Sequence, residues 1–233
     1  MSEPVADADL IRARWDDEYR DGRYEDEAPL PFVSEILKVL RAHGDVWGGL
    51  GLYVGCGNGR NYLPLLDAGA RLHGLDVSEE AIRQLRARRP AQSLPLAVGD
   101  FRSYEAPVFD YLIAIQIFQH GDEADARRYF ANAATIVRPG GLFFLRVNSA
   151  TTQVYHRHTV LGSNCYGSFT IRYDDGPKQA LPVHFYSREE LRARTDADFE
   201  PLSDLREDVI PRVAPKTGSW AQWEGIWRRR PNN

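Results

Sequence analysis

Short apolar runs alternate along this chain with stretches whose apolar residues recur every three or four positions. Leu50–Val54, Ala70–Val77, Leu94–Phe101, Phe109–Phe118 and Leu142–Val147 are the runs. Each is short, bounded by glycine, proline or acidic residues, and of the kind that forms buried strands. Between them lie helical patterns. Phe32, Val33, Ile36, Leu37 and Leu40 form one stripe, opened by Pro29 and Pro31 and closed by Gly44. Tyr62–Leu66 suits a helix with Pro64 in its first turn, where the missing N–H costs nothing. Ser78 is placed to cap a helix carrying Glu79 and Glu80 in its first turn and Ile82 and Leu85 on its buried side. Asp122 begins another with Tyr129, Phe130, Ala133, Ile136 and Val137, stopped by Arg138-Pro-Gly-Gly141. Upstream, Ile11, Trp15 and Tyr19 share one helical face, and Asp21-Gly22 ends it in a turn. Strands alternating with helices predict a parallel, doubly wound α/β sheet with helices on both faces. Phe109–Phe118, the most apolar run, suits its centre.

The last third changes period. Tyr166–Tyr173 and Leu181–Tyr186 alternate apolar and polar residues around the turn cluster Asp174-Asp-Gly-Pro177, which predicts a β-hairpin inserted after the fifth strand. Ser187-x-x-Glu190 is a capping box for a helix containing Leu191. Leu202–Val209 and Trp220–Trp227 read as the last two strands, with Trp223 and Trp227 on one face as core packing.

Composition narrows the function classes. A chain of 233 residues with 33 acidic and 29 basic side chains, formal charge −4, has no general attraction for nucleic acid or an anionic membrane. Arg228-Arg229-Arg230 is a local basic patch at a strand end. Cys56 and Cys165 stand far apart without partners at metal-ligand spacing, so no metal site is expected and the chain reads as a reduced, cytoplasmic protein. No run is long enough to span a membrane, and Ser2–Asp9 is acidic with no signal-peptide pattern.

The chemistry concentrates at Gly55-Cys-Gly-Asn-Gly-Arg-Asn61, a turn between the first strand and its helix. Its glycines permit positive φ and let a ligand touch bare main chain. The spacing G-x-G-x-G differs from the dinucleotide fingerprint G-x-G-x-x-G, and Arg60 stands where that fingerprint needs a small residue. Asp76 ends the second strand, where a carboxylate can accept hydrogen bonds from both hydroxyls of a ribose. After the third strand, Asp100 can hold an adenine amine while Phe101 packs on its ring, and Gln116–His120 lie at the ligand-binding end of the fourth.

Together the G-x-G-x-G turn, Asp76, Gly99-Asp100-Phe101 and Arg138-Pro-Gly-Gly141 resemble a class I S-adenosylmethionine (SAM)-dependent methyltransferase over about Leu50 to Val147. Gly59-Arg60-Asn61, with upstream Trp15, Tyr19, Gly22 and Tyr24, is similar to the small-molecule branch that includes the thiopurine and tellurite-resistance enzymes. The resemblance implies a Rossmann-like doubly wound sheet of seven strands, mostly parallel, with the hairpin inserted. It implies one methyltransferase domain over 1–233: a helical lid at 1–44, a SAM-binding core at 45–147, an acceptor cap at 148–186, and a last helix and strands at 187–233.

The implied SAM contacts are Trp15, Tyr19, Gly55, Cys56, Gly57, Gly59, Asn61, Asp76, Val77, Asp100, Phe101 and Gln116. This family usually carries an acidic residue two before the first glycine, which helps hold the methionine ammonium group; here it is Tyr53. The implied reaction passes the methyl group to a small-molecule acceptor by in-line displacement, in a monomer or homodimer with no nucleic-acid or membrane partner. His120 is the candidate general base, and Tyr24, Gln119, His120, His156, His158 and Tyr173 are candidate acceptor contacts, with His184 a further histidine beside the insert. His156-Arg157-His158 can instead form a cationic pocket for an anionic acceptor. Two alternatives stay open: a SAM-binding regulator without turnover, and an NAD(P)-dependent oxidoreductase on a similar sheet.

Overall fold

A computed structural model describes residues 8–25, 27–105, 107–176 and 178–231. Most of the acidic N-terminal segment and Pro177 of the turn cluster lie outside the described residues. The chain begins with α1 (Ala8–Arg20) and α2 (Phe32–Ala42), followed by a single turn, α3 (Gly44–Trp47). Gly44 therefore starts this extra turn rather than closing α2 directly. The alternating unit then runs β1 (Leu50–Val54), α4 (Tyr62–Asp67), β2 (Arg71–Asp76), α5 (Glu79–Arg88), β3 (Leu96–Val98), β4 (Phe109–Ile115), α6 (Glu123–Ile136) and β5 (Val137–Asn148). An insert of β6 (His158–Ser163), β7 (Phe169–Tyr173) and β8 (Pro182–Phe185) precedes α7 (Arg188–Thr195), β9 (Phe199–Pro201), β10 (Arg206–Pro211) and β11 (Ser219–Arg229).

The main sheet runs β10-β11-β5-β4-β1-β2-β3, with β9 joined to β11. The pairs among β1 to β5 are all parallel, whereas β11 is antiparallel to both β5 and β10. This is the expected doubly wound, mostly parallel sheet. Because β1 and β4 are covered on both sides, nearly every residue in them is buried. One face packs Leu52, Leu112 and Phe143 beneath α6 and α7; the other packs Tyr53, Tyr111 and Phe144 beneath α2, α4 and α5. Trp223 and Trp227 belong to the first core: the Trp223 indole N–H donates to the Tyr186 carbonyl at 2.9 Å, and Trp227 stacks on Phe143.

The expected caps form, but the capping box at Ser187 does not close: the Glu190 carboxylate is taken by His184 and Arg194, and the Ser187 amide donates to Ser168 Oγ. Ser78 accepts from the Ala81 amide, Asp122 from Asp125, and Ser187 from Glu190. The insert differs from expectation in having three antiparallel strands, ordered β6-β7-β8, rather than two. β6 carries no burial alternation, since all six of its residues are exposed, so its pattern gave no strand signal. β8 ties the insert to the end of β4: the His184 amide donates to the Gln119 carbonyl at 2.8 Å and the Gly121 amide to that of Pro182 at 3.0 Å. Among the described residues no helix is long and apolar enough to cross a membrane.

Candidate functional site

The turn after β1 is built for glycine. Gly55, Gly57 and Gly59 have φ of +71°, +53° and +102°. A Cβ on Gly55 would fall 2.0 Å from the Ile117 side chain, and one on Gly57 would fall 2.5 Å from the Tyr19 hydroxyl. The turn lies beside the end of β2, where Asp76 is held from two sides. The Gly57 amide donates to its Oδ2 at 2.8 Å and the Ser78 amide to its Oδ1 at 2.9 Å. Burial pushes the Asp76 carboxyl up to about 6, against the lowering effect of these two amides. Each oxygen keeps a lone pair for another donor.

α1 lies across this turn and is fastened to α5. Asp16 accepts from the Ser78 hydroxyl at 2.6 Å and from the Glu80 amide at 3.1 Å, and Gln84 donates to the Tyr19 carbonyl at 2.9 Å. Beneath it is a cavity of about 330 Å³, within the size range of small-molecule sites. Its lining includes Trp15, Tyr19, Gly55, Cys56, Gly57, Asn61, Asp76, Val77, Asp100, Phe101 and Gln116, together with Tyr24, Gln119 and His120. Gly59 does not line it; a Cβ there would meet Leu85 and Leu63 within 3 Å, so this glycine serves helix packing.

Past β3, Asp100 is engaged by Arg102 through both carboxylate oxygens, and these bonds hold its carboxyl below the usual range although burial acts to raise it. The Phe101 ring stacks on Phe118 with centroids 5.5 Å apart, so most of it belongs to the core and only part faces the cavity. Tyr53 is buried with its ring edge-on to Tyr62 at 5.8 Å, and burial drives its hydroxyl far above the usual phenol range.

Sequence reasoning missed a polar network at the opposite wall. Gln116, at φ +62°, donates through Nε2 to Gln222 Oε1 at 2.9 Å, and Arg146 Nε donates to the same oxygen at 2.7 Å. Arg146 is fully buried, paired with Glu224 and, at 2.7 Å, with Asp208. A lone arginine inside Leu142–Val147 was the available signal.

At the far end His120 meets Trp15 edge-on, ring centroids 5.0 Å apart. Its Nδ1 is buried and has no hydrogen-bond partner. Burial lowers its pKa well below the ordinary value, so the ring is neutral at neutral pH. Beside it stands Lys178, absent from the sequence-based candidates, with Nζ 6.0 Å from the centre of the Trp15 ring. Burial, with Arg23 nearby, pushes this ammonium down to about 8. Arg23 also lines the cavity; it pairs with Glu18 at 2.5 Å and leaves its buried Nε without a partner.

The other histidines do not reach this space. His156 lies 3.1 Å from Asp175, Arg157 donates to the same carboxylate at 2.9 Å, and His158 opens β6 with its Nδ1 on the His156 carbonyl. His156-Arg157-His158 therefore forms no cationic pocket on this cavity: Asp175 takes up His156 and Arg157, and His158 is held on the His156 carbonyl. Tyr173 is buried against His156 within the insert. His184 is locked between Thr170 and Glu190, each at 2.8 Å, in a buried structural network. Gln119 lines the cavity but spends its Oε1 on the Asn148 amide.

Residues 52–141 match the methyltransferase domain family. The ubiquinone biosynthesis O-methyltransferase of Methylobacterium sp. (strain 4-46) is 33% identical over 109 residues, covering 44% of this chain and 42% of that protein. The protein of the same name from Parvibaculum lavamentivorans is 27% identical over 166 residues, covering 66% of this chain and 63% of that one. The chain thus spans between two fifths and two thirds of the curated relatives it matches. Among solved structures, Burkholderia thailandensis 1,6-didemethyltoxoflavin-N1-methyltransferase, with bound 1,6-didemethyltoxoflavin and S-adenosylhomocysteine, superposes with a TM-score of 0.69 at 20% identity, covering 99% of this chain and 94% of that one. TehB from Haemophilus influenzae gives 0.62 at 14% identity, covering 91% and 66%. At these identities the likeness carries the fold, which is that of the class I methyltransferases.

Proposed function

We propose that this chain, with its methyltransferase domain and class I fold, is a SAM-dependent methyltransferase acting on a small-molecule acceptor. The observation that carries the reading is Asp76, a buried carboxylate fixed by the Gly57 and Ser78 amides at the edge of a glycine-built turn, with lone pairs left for the two hydroxyls of a ribose. A side chain at Gly55 or Gly57 would fill the cradle, which suits a ligand resting on bare main chain. In this reading Asp76 and Val77 hold the ribose, Asp100 and Phe101 border the adenine, and Gly55, Cys56, Gly57, Asn61 and Gln116 surround the methionine portion. Trp15 and Tyr19 of α1 close over it as a lid, and the insert caps the acceptor.

Bound SAM supplies an electrophilic methyl group and leaves as a neutral thioether, so no acid is needed for departure. The protein's task is alignment, an effect that can supply about 7–11 kcal/mol. The Trp15, Tyr19 and Tyr24 rings exclude water and orient the acceptor. Neutral His120, with its unpartnered Nδ1, holds the proton released by a hydroxyl acceptor; an acceptor already ionised needs no such base.

Calorimetric titration with SAM, S-adenosylhomocysteine and NADH tests the reading. Binding of both sulfur ligands without NADH, followed by S-adenosylhomocysteine release with an acceptor panel, is the expected result. Binding of NADH alone would overturn it.

A further inference from the structure

The acceptor end of the cavity brings the part-exposed ammonium of Lys178 together with two buried, unmatched polar nitrogens, on Arg23 and His120. Lys178 reaches in from the turn between β7 and β8, and no hydrogen bond or ion pair engages its ammonium among the described residues. Its contact with the Trp15 ring, at 6.0 Å, is at the outer limit for a cation over an aromatic face. The nearby acid, Glu18, is already bound by Arg23 at 2.5 Å. Arg23, whose charge Glu18 offsets, leaves its Nε buried and unpartnered, and neutral His120 leaves its buried Nδ1 in the same condition, a donor to an anion in the Nδ1–H tautomer. Three nitrogen-bearing groups on three separate segments, α1 with its following turn, the end of β4, and the insert, thus converge on one aromatic-walled space. Buried donors left unmatched are unfavourable, and an anionic ligand beside the Lys178 ammonium would relieve them.

Resting on the methyltransferase reading, we infer that the acceptor is a small aromatic or otherwise apolar molecule bearing an anionic oxygen, which docks against Lys178 with Arg23 and His120 around it. The oxygen has two possible sources with the same chemistry. It is either a carboxylate handle remote from the attacking atom or the attacking oxygen itself, as an ionised phenol or enol. In the second case the oxygen's electron pair forms the new O–CH3 bond, the S–CH3 pair returns to sulfur, and no proton remains to be removed.

The test uses matched probes that differ in charge. Benzoate is compared with benzamide, and 2,4-dinitrophenolate with 2,4-dinitroanisole, each titrated calorimetrically into the full chain with and without S-adenosylhomocysteine. Each anion is expected to bind at least about tenfold more tightly than its neutral partner in one pair or both, the effect of a single charge-assisted contact. Preference in the benzoate pair alone identifies a carboxylate handle; preference in the phenolate pair identifies an anionic attacking oxygen. Lys178→Gln should abolish the preference, Lys178→Arg should restore it, and Lys178→Glu should reverse it, all with unchanged S-adenosylhomocysteine affinity. Equal binding within both pairs, no anion binding, or a preference that survives Lys178→Gln would overturn the inference. Failure of S-adenosylhomocysteine to bind strikes the methyltransferase reading alone, because anion selectivity is read without it as well.

Discussion

Gly57 donates its backbone N–H to Asp76 Oδ2 at 2.8 Å, joining the turn after β1 to the end of β2 through a carboxylate rather than through the sheet ladder. Burial of this carboxylate, which the Gly57 contact only partly offsets, makes ligand affinity dependent on pH. Asp76 has its pKa raised to about 6, so it is ionised above that value and protonated below it. Only the ionised form offers acceptors at both oxygens. SAM affinity is expected to be constant above about pH 7 and to fall by up to tenfold per unit below about pH 6. Calorimetry across pH 5–8 checks this, and Asp76→Asn should remove the pH step while weakening binding about tenfold to a hundredfold.

Tyr53 fills the place of an acid, and its surroundings have adjusted to it. Its ring packs on Tyr62 within an apolar layer that borders the cavity, with its hydroxyl toward Asn61. Tyr53→Asp should therefore destabilise the fold by about 3–5 kcal/mol, since it opens a cavity and buries a carboxyl. Tyr53→Phe should change stability by under about 1.5 kcal/mol. Urea denaturation of the two variants separates these outcomes.

His120 is expected to matter according to the acceptor. With a hydroxyl acceptor, His120→Ala should lower kcat about a hundredfold to ten-thousandfold. With a thiol acceptor, which ionises unaided near neutral pH, the loss should stay within about threefold. Because burial holds the imidazole neutral, the wild-type rate should show no inflection between pH 6 and pH 8 from this residue. Paired rate measurements on the two acceptor types decide the point.

Arg146 and Glu224 form a buried pair across β5 and β11. Removing Glu224 leaves Arg146 with the partly exposed Asp208 as its remaining counter-charge, so Glu224→Gln should cost about 1.5–3 kcal/mol, the loss of one charged hydrogen bond. Replacing both, as Arg146→Met with Glu224→Leu, should recover most of that loss, because apolar packing substitutes well for a buried pair. Denaturant midpoints with unchanged slopes would establish the comparison.

The core was legible because its signals are local. Apolar runs, the caps at Ser78, Asp122 and Ser187, and glycines at alternate positions each declare themselves within a few residues. The cavity lining at Asp76, Asp100 and Gln116–His120 followed from where parallel strands end, and that at Trp15, Tyr19 and Tyr24 from the resemblance to the small-molecule methyltransferases. What escaped was non-local. β6 is a strand only because β7 offers it an edge. Lys178 acquires its importance from Trp15, Arg23 and His120, which no spacing in the sequence connects to it. His156 and His158 looked suitable by residue type, but Asp175 takes up His156 and Arg157 locally. Gln222 and Arg146 find each other only when β11 enters the sheet beside β5.

Asp16 belongs to α1, yet it accepts the Glu80 amide at the first turn of α5. Swinging α1 aside would leave that amide open to water, while the Ala81 amide keeps its own partner in Ser78. The hydrogen-exchange rate of one amide relative to its neighbour then becomes a native gauge of how often the entrance stands open, readable without a label, an acceptor or turnover.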